Sequence, residues 1–393
     1  MRKVYLDHSA TTPLRPEVLE AILPYLKDRF GNASSIHGFG RDVKVALEEA
    51  REKVAEIIGA APSEVFFNSG GTESDNLAVK GTAFANRKKG KHIITSQIEH
   101  HAVLESCKFL EKEGFEVTYL PVDSRGLVDP DDLKKTVRDD TTLVSIMYVN
   151  NEVGTIQPIQ ELCTIVKEKG AYFHTDAVQS VGKIRTDVQT LKVDMLSMSG
   201  HKMYGPKGVG ALYVRKGVRI TPWMHGGHHE RSRRAGTENV PGIVGFARAL
   251  ELMSQEMDDQ SRHMKNLTET FYRTLAESIP DVVLHGDSDK RIPNILSLSF
   301  KGVEGESVIL SLDMKGVAVA SGSACTSGAL EPSHVLSAMR VPPEVAQGAV
   351  RFSFGRGNTM EDVEYVTSLL PEIVQRLRSI SPLYVQKQKK QSS

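Results

Sequence analysis

With 393 residues, of which 40% are hydrophobic, the chain is too long for one small core and has the make-up of a two-domain globular protein. Its 49 basic residues balance 49 acidic ones, which excludes a long-range field drawing it to nucleic acid or an anionic membrane. The first residues lack a signal peptide's apolar centre and no run approaches the roughly 18 apolar residues of a membrane span, so a cytoplasmic protein is expected.

A short run from Tyr5 to Pro13 precedes a helix starting near Pro16 and another over roughly Arg41 to Ile58. In the second, Ala46, Leu47, Ala50, Val54, Ile57 and Ile58 form one apolar stripe at helical spacing. From Val65 onward apolar runs alternate with amphipathic stretches: Val65 to Phe67, His92 to Thr95, Val117 to Pro121, Leu143 to Val149, Tyr172 to His174, Val193 to Met198 and Ala211 to Val214. Such alternation predicts an α/β fold with a mostly parallel sheet covered by helices, whose ligands gather beyond the carboxyl ends of the strands. A long polar helical stretch, roughly Ile243 to Ser278, reads as a connector to a second domain. Strand-like runs resume at Asn294 to Phe300, Val317 to Ala320 and Val350 to Phe354, then a helix runs from Met360 to about Leu377 and a polar tail from Gln386 to Ser393.

The residues just past the strand-like runs are the candidates for chemistry. Between Asp194 and Pro206 the apolar run breaks at Ser199-Gly200, presents His201 and Lys202, and turns at Gly205-Pro206. A lysine so placed can form an imine with a carbonyl cofactor, and a low-dielectric wall would make its amine nucleophilic; alone it would read as a solvated loop residue. After Val65 to Phe67 comes Asn68-Ser69-Gly70-Gly71-Thr72-Glu73-Ser74, where two glycines open a helix whose free N–H groups and dipole suit a phosphate. As a tight turn it needs no ligand, and it is neither a P-loop nor a dinucleotide fingerprint. Asp176 follows Tyr172 to His174; a carboxylate leaving a buried strand needs a partner, either a protonated ring nitrogen or the N–H groups of a helix it caps. Asn150 and Asn151 follow another run, and Glu99, His100 and His101 another, an imidazole being able to stack on a heteroaromatic ring and to move protons. A lysine for an aldehyde, an aspartate for a pyridinium nitrogen, and a Gly-Gly-Thr turn with Ser199 and His201 for a phosphate together match what pyridoxal 5'-phosphate needs.

On these motifs the chain resembles the cysteine desulfurases of the nitrogen-fixation and iron-sulfur-cluster type, a branch of the class V aminotransferases, over almost its whole length. The resemblance implies the fold type I of pyridoxal-phosphate-dependent transferases. A large cofactor-binding domain over 15–260 would hold a mostly parallel seven-stranded sheet, and a smaller α/β domain from 1–14 and 261–393 would carry the catalytic cysteine loop. It assigns the imine to Lys202, the pyridinium contact to Asp176, stacking and proton transfer to His100, the ring hydroxyl to Gln179 with Asn151 nearby, and the phosphate to Gly71, Thr72, Ser199 and His201. Thr237, in the segment Arg231 to Thr237, would complete the phosphate site of a second subunit, making the active unit a homodimer. Arg351 would hold the substrate carboxylate, for which a guanidinium fork is well shaped, beside Asn151.

Cys325 separates this reading from a generic transaminase. It lies in Ser321-Gly322-Ser323-Ala324-Cys325-Thr326-Ser327-Gly328-Ala329, small polar residues that suit an exposed loop and an accessible thiol. Cys107 and Cys163 sit in amphipathic helical stretches, where cysteine is a small apolar filler. No Cys-x-x-Cys pair suggests a disulfide framework or a thiolate zinc site. The family reading is then that Cys325 takes sulfur from L-cysteine as a persulfide, alanine leaves, and the sulfur passes to an acceptor protein such as an iron-sulfur scaffold, or into tRNA thiolation. A selenocysteine lyase would share the cofactor residues, and a non-catalytic scaffold could retain the fold, although intact Lys202, Asp176, Cys325 and Arg351 argue against the latter. Two departures stand out: Gly226-Gly227-His228-His229-Glu230 where the family has three glycines, and Asp7-His8-Ser9 where relatives vary. His225, His228 and His229 could hold a metal, but no carboxylate spacing supports one and none is expected.

Overall fold

Strands covered by helices on both faces are buried throughout, and the apolar runs between Val65 and Val214 are largely of that kind, except the half-exposed run from Val117 to Pro121. The computed structural model describes residues 2–322, 333–381 and 384. Its strands are β1 (Val4–Tyr5), β2 (Val65–Asn68), β3 (His92–Ser96), β4 (Glu116–Leu120), β5 (Thr141–Ser145), β6 (Tyr172–Asp176), β7 (Met195–Ser199), β8 (Gly210–Val214), β9 (Val282–His285), β10 (Ile295–Phe300), β11 (Val317–Ala318) and β12 (Ala349–Ser353).

Seven of them form one sheet in the order β2-β8-β7-β6-β5-β3-β4, parallel except that β8 runs against both its neighbours. From β3 the chain goes to β4 on one side and to β5 on the other, so the order reverses there. A crevice opens beyond the carboxyl ends of strands at such a reversal, and it receives the ligand in open α/β sheets. β12, β10 and β9 make an antiparallel sheet, and β1 pairs with β11 in parallel.

The helix Val240–Ser278 joins two apolar cores. Phe246, Leu250 and Met253 pack into the core of the seven-stranded sheet, whereas Met264, Leu267, Phe271 and Leu275 pack with Leu296, Phe352, Val4 and Leu6. The amino-terminal strand is therefore tied to the carboxyl-terminal part of the chain. No helix of the described residues is long and apolar enough to cross a membrane.

Several element ends differ from the sequence reading. The helix expected from Arg41 starts at Gly38, because His37 Nδ1 accepts the Gly40 amide at 3.2 Å and caps a glycine-rich turn that apolar spacing does not reveal. β5 stops at Ser145 rather than Val149; beyond it the amides of Ile146 and Tyr148 still donate to His174 and Asp176 carbonyls on the neighbouring strand. β9 and the helix Gly305–Asp313 were not anticipated: β9 is a half-exposed edge strand of only four residues.

Candidate active site

All five residues of β7 are buried, and the chain turns at its end through Gly200, where a Cβ would lie 2.9 Å from the Pro206 carbonyl oxygen. This close turn delivers Lys202 to the mouth of the crevice. The amine of Lys202 donates to the carbonyl oxygens of Ala10, at 2.7 Å, and of Ser9. The apolar wall expected around it is therefore not its immediate surrounding, because the amino-terminal segment folds across the strand end and presents carbonyls. Thr12 locks that segment in place: its hydroxyl donates to the His201 carbonyl at 2.9 Å and accepts the Tyr204 amide at 2.7 Å.

Asp176 is the last residue of β6, not a residue beyond it, and is buried. Its Oδ1 accepts the Val178 amide at 2.9 Å, and among the described residues Oδ2 has no hydrogen-bond partner. Burial pushes this carboxyl up, opposed by His100, the Val178 amide and Lys202, so these three sequence-predicted residues share one electrostatic neighbourhood. Two more carboxyls lie close by. Glu99 accepts Ser96 Oγ and the Met147 amide on Oε1, and burial pushes it up to about 8, with Asp176 adding to the rise. Asp75 is likewise raised by burial and by Asp176. His174 is fully buried between Ser145 Oγ at 2.8 Å and Ser197 Oγ at 2.9 Å, and burial lowers it to about 3, so it stays neutral.

His100 caps the helix His101–Lys112, its Nδ1 accepting the Ala102 amide at 3.1 Å. In the neutral ring the proton must then sit on Nε2. Burial lowers this histidine's pKa, Lys202 and His101 adding to the fall and Asp176 opposing it.

The glycine turn precedes the helix Gly71–Asn76, with Gly70 at φ 145°, a conformation that favours glycine. A Cβ on Gly71 would come within 2.8 Å of Val178 and 3.7 Å of Ser199, so the turn, β6 and β7 converge there. The amides of Ser69 and Gly70 are taken by Glu73 and Asn68, whereas those of Gly71 and Thr72 open a helix and have no acceptor within it. Ser199 is buried at the end of β7, and His201 Nδ1 lies 3.2 Å from Thr11 Oγ1.

Arg234 pairs with Glu73 at 2.9 Å, fastening the Arg231 to Thr237 segment beside this turn and leaving Thr237 exposed. The loop with the extra histidine is strained: Glu230, Arg231 and Ser232 all have positive φ. It is anchored by Glu230, which is buried and accepts Arg51 twice, at 2.7 and 2.9 Å, and the Phe67 amide at 2.9 Å. His228 Nδ1 lies 3.0 Å from Ser232 Oγ, and His229 Nδ1 accepts the Gly236 amide.

Arg351, on β12, is buried. It donates to the Asn151 carbonyl at 3.0 Å and to Asp7 Oδ1 at 2.9 Å, while among the described residues its Nε has no partner. Gln179 donates to the Ser9 carbonyl at 2.9 Å, the same oxygen that Lys202 meets. Cys107 and Cys163 are buried; burial pushes the first thiol far up and the second up to about 12, so neither forms a thiolate near neutral pH. Cys325 lies outside the described residues. The residues that border 323–332 are described: Ser333 Oγ donates to Glu152, and a side chain at Gly322 would collide with the Glu152 carboxylate.

The arrangement fits a phosphorylated pyridine aldehyde. One carboxylate oxygen of Asp176 is available to a ring N–H, the Gly71 and Thr72 amides are available to a phosphate, and the Lys202 amine lies close enough to Asp176 to act on its charge. Sequence reasoning had named these groups. It missed the carbonyls of Ser9 and Ala10, the pairing of Asp7 with Arg351, the carboxyl of Asp75, Glu152, and Lys183, and it named Glu99 only as a residue past a strand-like run, without the burial that raises its carboxyl. Only the polar run Asp7-His8-Ser9, noted as a departure, pointed toward the first of these.

Fold and site thus define a protein of the pyridoxal-phosphate-dependent transferase class. The aminotransferase class-V family model matches residues 4–366. The chain is 59% identical over 381 residues to the cysteine desulfurase IscS of Dictyoglomus turgidum, covering 97% of each chain. It is 56% identical over 382 residues to that of Methanosarcina thermophila, covering 97% of this chain and 94% of the other. A solved NifS-like protein superimposes with a TM-score of 0.91 at 43% identity, covering 96% of this chain and 100% of that one. The chain belongs to the class V aminotransferase family, in its cysteine desulfurase branch.

Proposed function

We propose that the protein is a pyridoxal-phosphate-dependent cysteine desulfurase acting on L-cysteine. The observation that carries this reading is the joint placement of Lys202, Asp176 and His100 at the sheet reversal, with the two described thiols buried and unreactive. Cys325 is left as the thiol for sulfur transfer. When bound, the cofactor supplies an electron sink for the substrate carbon.

The chain's own residues do the rest. Lys202 would hold the aldehyde, and its amine can move a proton; Asp176 would hold the ring nitrogen; Gly71, Thr72, Ser199 and His201 would hold the phosphate; Gln179 and Asn151 would meet the ring oxygen. His100 gives and takes protons through Nε2, since Nδ1 is occupied. Arg351 orients the substrate by its carboxylate. The Cys325 thiolate attacks the substrate sulfur: an S–S bond forms, the Cβ–S bond breaks, and the carbon keeps the electron pair, takes a proton and leaves as alanine. The persulfide on Cys325 then goes to an acceptor protein, such as a scaffold for iron-sulfur cluster assembly.

We assign 15–260 to cofactor binding and 1–14 with 261–393 to the unit that carries the cysteine. A second copy completes the site. Exposed Thr237 is available to a partner's phosphate site, and Leu26, Phe30, Ile36 and Phe39 are exposed apolar side chains, Phe30 and Phe39 stacked on each other, that a second copy would cover. The cytoplasm, where thiols stay reduced, suits a persulfide donor.

The test is the visible absorption of the purified protein before and after L-cysteine, with alanine and sulfide assayed. A band that changes on adding cysteine, with alanine formed in step with sulfur, is the expected result. Lys202→Ala should lose both the band and the adduct trapped by borohydride while keeping its circular dichroism. A stable adduct on another lysine would overturn the assignment.

A further inference from the structure

Lys183 has no part in the reading above, yet it lies inside the site. It follows Gln179 by one turn, and its Nζ donates to Gln179 Oε1 at 2.9 Å. At the other end of the same amide, Gln179 Nε2 donates to the Ser9 carbonyl at 2.9 Å. The Ser9 carbonyl also receives Lys202, so a continuous set of bonds runs from Lys183 through Gln179 and Ser9 to Lys202.

An amide presents two ends of nearly equal size, one that only accepts and one that only donates. Without partners of fixed kind it can turn either end toward a ligand. Here both ends are specified. The Ser9 carbonyl can only accept, so it takes the NH2 end, and Lys183 donates to the oxygen end. Burial, with Lys202 and Arg351 adding to it, brings the Lys183 amine down to about 7, and in either protonation state it has an N–H for that oxygen. The second hydrogen on Nε2 is then the one left to point into the site.

We propose that Lys183 is a positioning residue that sets the Gln179 amide so that its N–H, not its carbonyl, meets the ring oxygen of the cofactor. The proposal rests on the cofactor reading given above. A donor on that oxygen stabilises its anionic form and makes the neighbouring Lys202 imine easier to deprotonate. Loss of the donor therefore moves the pH midpoint of the visible band upward.

The experiment is a pH titration of that band in wild-type holoprotein, Lys183→Met, Gln179→Leu and the double variant. Methionine keeps the lysine's length without its amine; Lys183→Leu gives the same comparison should the methionine variant fail to fold. Each single variant should raise the midpoint by about 0.5 to 1 unit, the worth of one ordinary hydrogen bond. The double variant should rise no further than Gln179→Leu. A Lys183→Met midpoint equal to wild type overturns the proposal, and so does an equal Lys183→Met shift in the Gln179→Leu background, which would mean the lysine acts by charge alone. A wild-type protein lacking any pH-dependent visible band would instead overturn the cofactor reading.

Discussion

Arg351 and Asp7 meet at 2.9 Å, joining β12 to the amino-terminal segment that covers Lys202. The guanidinium is held by Asp7 on one nitrogen and by the Asn151 carbonyl on another, which leaves Nε as a buried donor without a partner among the described residues. A buried donor so placed costs free energy until something accepts from it, and a substrate carboxylate is a suitable acceptor. Arg351→Ala should raise KM for L-cysteine by the roughly 2 to 5 kcal/mol typical of a truncated buried charge pair. Arg351→Lys keeps the charge but not the planar fork, and should recover only part of that loss. Steady-state kinetics measure both, and an unchanged KM in the alanine variant would move the carboxylate site elsewhere.

Of the three thiols, only Cys325 should matter for turnover. Cys325→Ser is expected to keep the cofactor band and its response to L-cysteine, yet to make almost no alanine and carry no labelled persulfide sulfur. Cys107→Ser and Cys163→Ser should stay active. The first buries a hydroxyl among apolar groups at a cost of about 1 to 3 kcal/mol. The second should cost less, because the hydroxyl can inherit the bond from Cys163 Sγ to the Lys192 carbonyl. Urea unfolding with an alanine assay decides each case.

Glu99 makes stability depend on pH. In the folded chain it holds its proton to about 8, against 4.5 for the unperturbed group, so between those values the folded state binds more protons than the unfolded state. Its contribution is fully present below the unfolded pKa and is lost as pH rises through about 8. Glu99→Gln, permanently neutral, should lack this loss. Melting temperatures of wild type and variant, compared at about pH 5 and pH 8.5 under equal cofactor loading, should diverge in the variant's favour at the higher pH. A constant difference across the window would refute the neutral carboxyl.

The loop beside the glycine turn depends on Glu230. Glu230→Ala leaves the buried Arg51 guanidinium only the half-exposed Glu48 and the Val65 carbonyl as partners, and should destabilise the chain by up to about 3 to 5 kcal/mol, the loss for a buried pair broken outright. It also removes the acceptor that holds the Phe67 amide and offsets the left-handed backbone at three successive residues. Cofactor retention should fall together with the unfolding midpoint. A variant as stable as wild type would show that the loop is held by other contacts.

Lys202, Asp176, His100 and the Gly70-Gly71-Thr72 turn were legible in the sequence because each sits within a few residues of a strand end. An apolar run that stops at a polar residue is a local pattern, and in an open α/β sheet that pattern locates the ligand side of the molecule. The helices Pro16–Lys27 and Met360–Ile380 were legible for a similar reason, from proline at the start of one and apolar spacing in the other. The lysine's surroundings were not. Ser9 and Ala10 reach Lys202 across more than 190 positions, Asp7 reaches Arg351 across 344, and Glu230 reaches Arg51 across 179.

By itself, the sequence placed the strands of the large sheet to within a few residues and marked the polar groups at their ends, which follow from residue type and short-range periodicity, while the assignment of Cys325 follows from the family resemblance. Tertiary structure alone decided which partners those groups have: carbonyls rather than an apolar wall around Lys202, a carboxylate on Arg351, two further buried carboxyls beside Asp176 and a lysine behind Gln179. Hydrogen bonds and burial between distant segments depend on how the layers close over one another, and that closure leaves no periodic trace along the chain.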